Sequence, residues 1–113
     1  MTDLNKQHCV PCEGGTSPLD DLMIKELIKE IHTDWQLRED NKEIQRLCKF
    51  RDYHQTMAFV NEVASIAHDE NHHPDMEVSY NKCLVRYSTH AIGGLSTNDF
   101  ICAARIDVLL EKE

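Results

Sequence analysis

The sequence predicts a single α+β domain in which a four-stranded antiparallel sheet carries helices on one face. Three stretches begin with a helix-capping pattern and continue with apolar residues at helical spacing. Two pairs of short segments between them alternate apolar and polar residues, which is typical of half-buried strands. The predicted order is α-β-β-α-β-β-α. Helices on one face of such a sheet make two layers, and the other face is left to solvent or to a partner.

The first helix is expected to begin at Ser17, because serine suits the N-cap, Pro18 the first helical position and Asp20 the third. Its apolar residues share one face, and the helix should end near residues 32–33. These apolar residues are Ile24, Leu27, Ile28 and Ile31.

Two strand segments, 35–37 and 43–50, follow the first helix and are joined by a polar turn. Arg46 interrupts the apolar face of the second segment, which leaves its exposure open. The second helix is expected to begin at a capping pattern led by Asp52 and to run to about Glu70. Its apolar residues at helical spacing are Met57, Val60, Ala64 and Ala67, with Val63 beside them.

A second pair of strands is expected to form a β-hairpin. Alternating residues occupy 76–80 and 83–89, with a turn near 81–82. The glycines at 93–94 then break the chain, and the run 96–99 starts a third helix as a capping box. The apolar face of this helix includes Ile101, Ala104 and Val108.

Length and charge limit what the chain can do. Its 113 residues and formal net charge of −8 predict one domain that binds neither nucleic acid nor an anionic membrane surface directly. No apolar run approaches the roughly 20 residues that span a bilayer, and no signal peptide is evident, which favours the cytoplasm. The five cysteines are mostly scattered, which fits reduced thiols.

The chain is expected to divide into an arm and a domain. Residues 1–16 hold polar residues, glycines and few large apolar groups, so we interpret them as a flexible, loosely packed arm before a domain at 17–113. Cys9 and Cys12 form a CxxC pair in this arm. A zinc site needs four ligands and no second CxxC follows, so no metal site is predicted there.

Three histidines lie where the second hairpin could gather them. His72 and His73 precede the first strand of this hairpin, and His90 follows the second. Because the start of one hairpin strand faces the end of the other, one of the doublet and His90 can approach from opposite walls of a cavity. Histidine titrates near neutral pH, so two imidazoles could protonate a leaving group and remove a proton elsewhere. This arrangement suits dehydration, isomerisation or tautomerisation.

The residues of this candidate site could instead have purely structural roles. His72 could cap the preceding helix, and His73 could be a surface residue before Pro74. Asp99 stands third in the last helix, where its carboxylate would accept the Ser96 N–H and complement the helix dipole. A metal site built from the three histidines is a weaker interpretation.

The combined motif resembles the pterin-4a-carbinolamine dehydratase family. The matching segments are His72-His73-Pro74, Tyr80, Ser88-Thr89-His90, Gly93-Gly94-Leu95-Ser96 and Asp99. The resemblance extends upstream to about residue 18 and so covers most of the chain except the arm. The upstream matches are Trp35, Phe50, Phe59-Val60 and Ala64. The α+β fold of the family agrees with the predicted element order.

The resemblance implies a reaction. Members of this family remove water from 4a-hydroxytetrahydrobiopterin, which aromatic amino acid hydroxylases release, and so give quinonoid dihydropterin for recycling. By this likeness His72 and His90 are the acid–base pair, and His73 chiefly binds the pterin. Two histidines that titrate near neutral pH fit both proton transfers.

The resemblance also implies supporting residues and partners. Asp99 would support the site electrostatically or position a histidine, and Pro74 and Thr89 would shape the pterin pocket. No metal or organic cofactor is required. The family likeness further implies a homodimer or homotetramer, and a functional link to an aromatic amino acid hydroxylase. A sheet edge and an uncovered sheet face are the physical route to such assembly.

A second hypothesis is a non-catalytic, protein-binding or transcriptional-regulatory module on the same fold. Animal members of the family act as dimerisation cofactors for a homeodomain transcription factor. Many members carry a glutamate where this chain has His68, and an acidic residue is frequent where it has Asn71. The departure at His68 favours this alternative, whereas the retained three histidines and Asp99 favour the enzyme.

Overall fold

The structure, a computed structural model, describes residues 4–10 and 17–111. It confirms the α+β architecture and, to a close approximation, the predicted order of helices and strands. The helices are α1 (Asp21–Ile28), α2 (Tyr53–Glu70) and α3 (Thr97–Glu111), and the strands are β1 (Gln36–Leu37), β2 (Ile44–Lys49), β3 (Asp75–Val78) and β4 (Lys82–Tyr87). Short 3₁₀ helices lie at Leu4–Lys6 and His90–Ile92. No helix within the described ranges is long and apolar enough to cross a membrane.

The strands of the described chain pair antiparallel in the order β1-β2-β4-β3. Two hairpins therefore meet through their inner strands, with Ile44 opposite Tyr87 and Cys48 opposite Cys83. These four side chains are buried in the core, on the face that packs against the helices. Leu47 points to the opposite face and is exposed.

α3 is the central helix of the core. Its residues 98–104 and Ile106 are buried, so burial surrounds its N-terminal half instead of following one face. The buried positions of α2 are Thr56, Phe59 and Val63. The sequence placed Ala64 on that face, but Ala64 is exposed, because the buried face is rotated by one residue from the expected one. The Thr56 hydroxyl fixes this rotation, since it donates to the Tyr80 carbonyl at 2.9 Å in the hairpin turn.

α1 begins later than the sequence predicted. Its N-cap is Asp20, whose carboxylate accepts the Met23 N–H at 2.9 Å, and the expected cap at Ser17 is wrong. The preceding chain lies outside the helix because the Leu19 N–H donates to the Leu95 carbonyl at 2.9 Å. A contact distant in sequence therefore decides between two residues that both suit an N-cap.

A carboxylate on α3 connects the start of the sheet to the helical layer through hydrogen bonds. Asp107 Oδ1 accepts hydrogen bonds from the Trp35 indole at 2.7 Å and from the Arg46 guanidinium at 2.6 Å. Its Oδ2 accepts the His32 N–H at 2.9 Å, in a turn that replaces the last expected residues of the first helix. Arg46 therefore belongs to the buried face of β2, where it is one half of an ion pair.

Residues 4–10 lie against α3. Leu4 is 3% exposed and packs in the core, and the Arg105 guanidinium donates to the Gln7 carbonyl at 2.6 Å. The sequence favoured loose packing for this segment because residues 1–16 hold polar residues, glycines and few large apolar groups. Cys12 lies outside the described residues, as does the rest of the expected arm, and the flexibility of the arm stays a prediction.

We expect Asp107→Ala to lower the free energy of unfolding by about 3 kcal/mol, because the buried Arg46 charge loses its close partner and keeps only the exposed Asp34 carboxylate at 3.8 Å. Asp107→Asn keeps an acceptor and should lose less. Urea denaturation followed by circular dichroism measures both. Asp40→Ala is the control, since the Asp40–Arg38 pair is exposed and should hardly move the midpoint. Equal losses in the Asp107→Ala and Asp40→Ala variants would contradict the bridging role of Asp107.

Candidate active site

The candidate site begins at the C-terminal end of α2. Asn71 caps this helix in the left-handed conformation (φ 51°, ψ 41°), which asparagine tolerates better than most residues. The His72 N–H still donates to the Ala67 carbonyl at 3.1 Å. The His72 side chain is only 13% exposed, whereas His73 is exposed. This difference agrees with the expectation that the adjacent histidines point to opposite sides.

The segment after β4 carries Thr89 and His90 to the same region. The Thr89 N–H donates to the Gly94 carbonyl at 2.8 Å and closes a loop around the second 3₁₀ helix. Gly93 ends this helix at φ 67°, a conformation that favours glycine. Thr89 is buried, while the His90 side chain is 76% exposed and its Nε2 lies 3.9 Å from a carboxylate oxygen of Asp75.

Asp99 joins these two segments from the first turn of α3. Its side chain is fully buried, and Oδ1 lies 2.6 Å from His72 Nε2. Oδ2 accepts the Ser96 N–H at 2.9 Å and the Thr89 hydroxyl at 2.8 Å. The helix-capping bond that the sequence predicted is therefore present, and the same carboxylate also holds a site histidine.

Asp99 favours the protonated form of His72. Burial alone would lower the pKa of His72, but the hydrogen bond and the negative charge of Asp99 outweigh it and raise this pKa above its usual 6.5. The Tyr87 ring stacks on the imidazole with centroids 5.5 Å apart, and burial raises the pKa of the Tyr87 phenol, which keeps it neutral. The site therefore favours an oriented imidazolium at His72 near neutral pH.

The three predicted histidines share one cavity of about 510 Å³. Its lining consists of residues 8–10, 69–73, 88–91 and Asn98. This volume lies in the usual range for small-molecule sites. Asp99 stands behind His72, outside the lining, and Pro74 is not among the lining residues described. A larger cavity of about 960 Å³ lies over β2, but its described lining contains no histidine and is distant from this chemistry.

The arrangement supplies groups for proton transfer. His72 presents an imidazole held by Asp99 from the inner side of the cavity, and His90 presents a solvated one from its rim. A small molecule between them could gain a proton at one atom and lose a proton at another. Within residues 4–10 and 17–111, no cluster of three or more histidine, cysteine or acidic side chains is placed to hold a metal ion.

Residues 8–10 form a wall of the cavity that the sequence did not predict, here called the N-terminal wall. Glu70 anchors it: Oε1 accepts the Cys9 N–H at 2.7 Å, and Oε2 lies 3.0 Å from His8 Nδ1. Burial would raise the pKa of Glu70, but these hydrogen bonds and the Arg105 charge lower it, so the carboxylate stays ionised. The contact joins residues 61 apart and leaves no local pattern by which sequence reasoning could find it.

Comparison with known proteins identifies the family. The model of the family "Pterin 4 alpha carbinolamine dehydratase" matches residues 17–109. A protein from Nitrosomonas eutropha (strain DSM 101675 / C91 / Nm57), whose name places it in this family, is 56% identical over 110 residues, or 97% of this chain and 96% of that protein. A similarly named protein from Legionella pneumophila (strain Corby) is 51% identical over 109 residues, or 96% of each chain.

Two solved structures share the fold. A transcriptional coactivator/pterin dehydratase from Brucella melitensis matches with a TM-score of 0.77 at 25% identity, over 82% of this chain and 98% of that one. A pterin dehydratase-like protein described as a RuBisCO assembly factor in the alpha-carboxysome matches with a TM-score of 0.60 at 20% identity, over 69% of this chain and 90% of that one. This second likeness shows the fold alone. By its family match and its relatives of more than half identity, the chain belongs to the pterin-4a-carbinolamine dehydratase family.

Proposed function

We propose that this protein dehydrates 4a-hydroxytetrahydrobiopterin to quinonoid dihydropterin. The observation that carries the proposal is the His72–Asp99 pair, in which a buried carboxylate favours the imidazolium at a cavity also lined by His73 and His90. Family membership supports a pterin substrate. We place the reaction in the cytoplasm, in the recycling of tetrahydrobiopterin, with a functional link to the aromatic amino acid hydroxylase that releases the substrate.

The proposed mechanism moves two protons. The C4a hydroxyl leaves as water once it is protonated, and the N5 proton is lost as the C4a–N5 double bond forms. An imidazolium at His72 donates a hydrogen bond from Nε2–H to Asp99, and its Nδ1–H stays available. We assign this Nδ1–H as the acid for the leaving hydroxyl. His90, on the rim of the cavity, is assigned as the base that accepts the N5 proton.

The remaining site residues have supporting roles in this proposal. His73 lines the cavity and is assigned to pterin binding. The Thr89 hydroxyl is engaged with Asp99, so Thr89 would act through that carboxylate and through its own backbone at the pocket. Pro74 would restrict the backbone of His73 and in this way shape the pterin pocket. The proposed chemistry uses no metal or organic cofactor.

We expect His72→Ala and His90→Ala each to lower the dehydration rate by about 10²-fold or more, because each removes one proton-transfer group. His73→Ala should chiefly raise KM. Absorbance measured on freshly generated 4a-hydroxytetrahydropterin would follow the water loss. His54→Ala is the matched control, since His54 is exposed in the first turn of α2, outside the cavity lining. Full activity in the His72→Ala and His90→Ala variants would overturn the proposed mechanism.

The raised pKa of His72 predicts a pH dependence of defined sign. The His72–Asp99 pair stabilises the folded protein fully below the usual value of 6.5, and this contribution is lost as pH rises through the higher folded-state pKa. The rate should fall over the same alkaline range, because the acid is then deprotonated. We expect NMR to place the His72 midpoint above 6.5 and Asp99→Asn to lower it. A midpoint that Asp99→Asn leaves in place would refute the role of Asp99.

We further propose that the chain assembles as a homodimer or homotetramer. β3 lies at the edge of the sheet, and Leu47 and Leu84 face each other across the inner strands on the side away from the helices. Leu47 is 46% exposed there. An unpaired edge and an apolar spot on an uncovered sheet face favour association with a second copy.

Light scattering at micromolar concentration should give at least a dimer, and a monomer would contradict this proposal. Leu47→Glu should shift the protein toward smaller species, because it places a charge on the uncovered sheet face. Leu22→Glu is the control, since Leu22 is exposed on α1. If both variants keep the wild-type size, the sheet face is not the contact surface.

A non-catalytic, protein-binding or transcriptional-regulatory module is the second candidate. His68 is exposed in the last turn of α2, where many family members carry a glutamate. The structural relative in the alpha-carboxysome is described as an assembly factor, which is a role of that protein on the same fold. A folded wild-type protein that accelerates water loss no more than buffer would favour this alternative over the enzyme.

A further inference from the structure

Two cysteines from distant parts of the chain face each other beside the cavity. The Sγ atoms of Cys9 and Cys102 lie 3.6 Å apart, and either thiol can donate the hydrogen bond between them. Cys9 is half-buried in the N-terminal wall and lines the cavity, whereas Cys102 on α3 is fully buried. The Cys102 sulfur also lies 4.0 Å from the His72 carbonyl oxygen, so the thiol pair adjoins the candidate catalytic group.

The backbone on both sides of this contact is anchored. Glu70 accepts the Cys9 N–H, and Val10 exchanges two hydrogen bonds with the Asn98 side chain, at 3.0 and 2.6 Å. Cys102 belongs to the central helix of the core. Closing the sulfurs from 3.6 Å to the roughly 2.05 Å of a disulfide asks for about 1.5 Å of movement, which side-chain rotation can supply.

We propose that Cys9 and Cys102 are a redox-active thiol pair, which a peroxide oxidises to a disulfide that ties the N-terminal wall to α3. The bond is reversible and forms only when the peroxide level rises, as is usual for disulfides in reducing compartments. The proposal does not depend on the dehydratase activity, because the thiol contact is independent of what the cavity binds.

The chemistry balances with hydrogen peroxide as the oxidant. The pair loses one proton to solvent, and the proton that it keeps moves to Cys102. The Cys9 thiolate then attacks a peroxide oxygen, so that the O–O bond breaks, a sulfenic acid forms on Cys9, and the departing hydroxide takes the Cys102 proton as water. The Cys102 thiolate next attacks the Cys9 sulfur and releases a second hydroxide, which regains a solvent proton. Two thiols lose two electrons, and one peroxide becomes two waters.

The surroundings of the pair favour the thiolate on Cys102, and they leave Cys9 as the sulfur that a peroxide in the cavity can reach. The hydrogen bond from Cys9 and the nearby His72 charge lower the pKa of Cys102, which favours the thiolate that closes the disulfide. The same hydrogen bond raises the pKa of Cys9, so Cys9 becomes the nucleophile only after its proton has moved across the contact. Cys9 is the sulfur of the two that the cavity reaches.

The other cysteines that the structure describes serve as an internal comparison. Cys48 and Cys83 oppose each other across β2 and β4 but are buried in the core. Burial raises the pKa of Cys48 to about 12 and that of Cys83 to about 11, so neither sulfur of this pair has the lowered pKa that Cys102 has beside Cys9. Neither lines the cavity of the candidate site, and Cys48, which lines the larger cavity over β2, is only 3% exposed. Selective oxidation is therefore expected at the pair formed by Cys9 and Cys102.

The test exposes the full chain to hydrogen peroxide at neutral pH, alkylates the remaining thiols and weighs the product. Wild type should lose two hydrogens and two alkylation sites, and dithiothreitol should restore both. Cys12→Ser is the matched control, because Cys12 stands three positions from Cys9 in the CxxC pair. The cross-link should persist in Cys12→Ser and disappear in Cys9→Ser. Cys102→Ser should leave a sulfenic acid on Cys9 that a 1,3-dione reagent traps.

The disulfide should also be visible in thermal unfolding. It would close a loop of more than 90 residues, and we expect the oxidised protein to unfold at a temperature at least about 5 °C above that of the reduced protein. Peroxide should not raise the unfolding temperature of Cys9→Ser. This comparison can be made even if Cys102→Ser does not fold. A cross-link between Cys9 and Cys12, or oxidation that Cys9→Ser leaves unchanged, would overturn the proposal.

Discussion

The carboxylate of Asp99 is the group on which the rest of the candidate site depends. It is fully buried and receives hydrogen bonds from the end of α2, the end of β4 and the start of α3, through His72, Thr89 and Ser96. Removing one partner of a buried charge is strongly destabilising, so folding itself demands that these segments converge. The orientation of His72 is therefore a by-product of satisfying a buried charge.

The central helix repeats this arrangement about two turns further on. There Asp107 gathers the Trp35 indole, the Arg46 guanidinium and a backbone N–H. Two acidic residues on α3 thus connect the helical layer to the two inner strands, one near the end of β4 and one at β2.

Local patterns predicted the elements well wherever the deciding interaction is local. α2 begins after Asp52 and ends at Glu70, as expected. Both ends depend on neighbouring residues: the N-cap at Asp52 and the break before Pro74. The predicted start of α1 was wrong, since a hydrogen bond between Leu19 and the distant Leu95 selects Asp20 over Ser17 as the N-cap.

Sequence reasoning also found part of the site. Hairpin geometry was enough to place the three histidines at one cavity, although their separate roles stay predictions. The sequence could not reveal the burial of Arg46 or the N-terminal wall. Each depends on contacts distant in sequence, among them those of Asp107 and Glu70, and such contacts impose no period on the chain.

The N-terminal wall lies before residue 17, where the family match begins, while the histidines and Asp99 lie within that match. The histidines of the candidate site and one boundary of the cavity therefore lie in separate parts of the chain. Substitutions at 8–10 can alter the size or polarity of the opening without disturbing a strand or a long helix. In such an architecture the shape of the cavity opening can change while the histidines and their carboxylate partner stay in place.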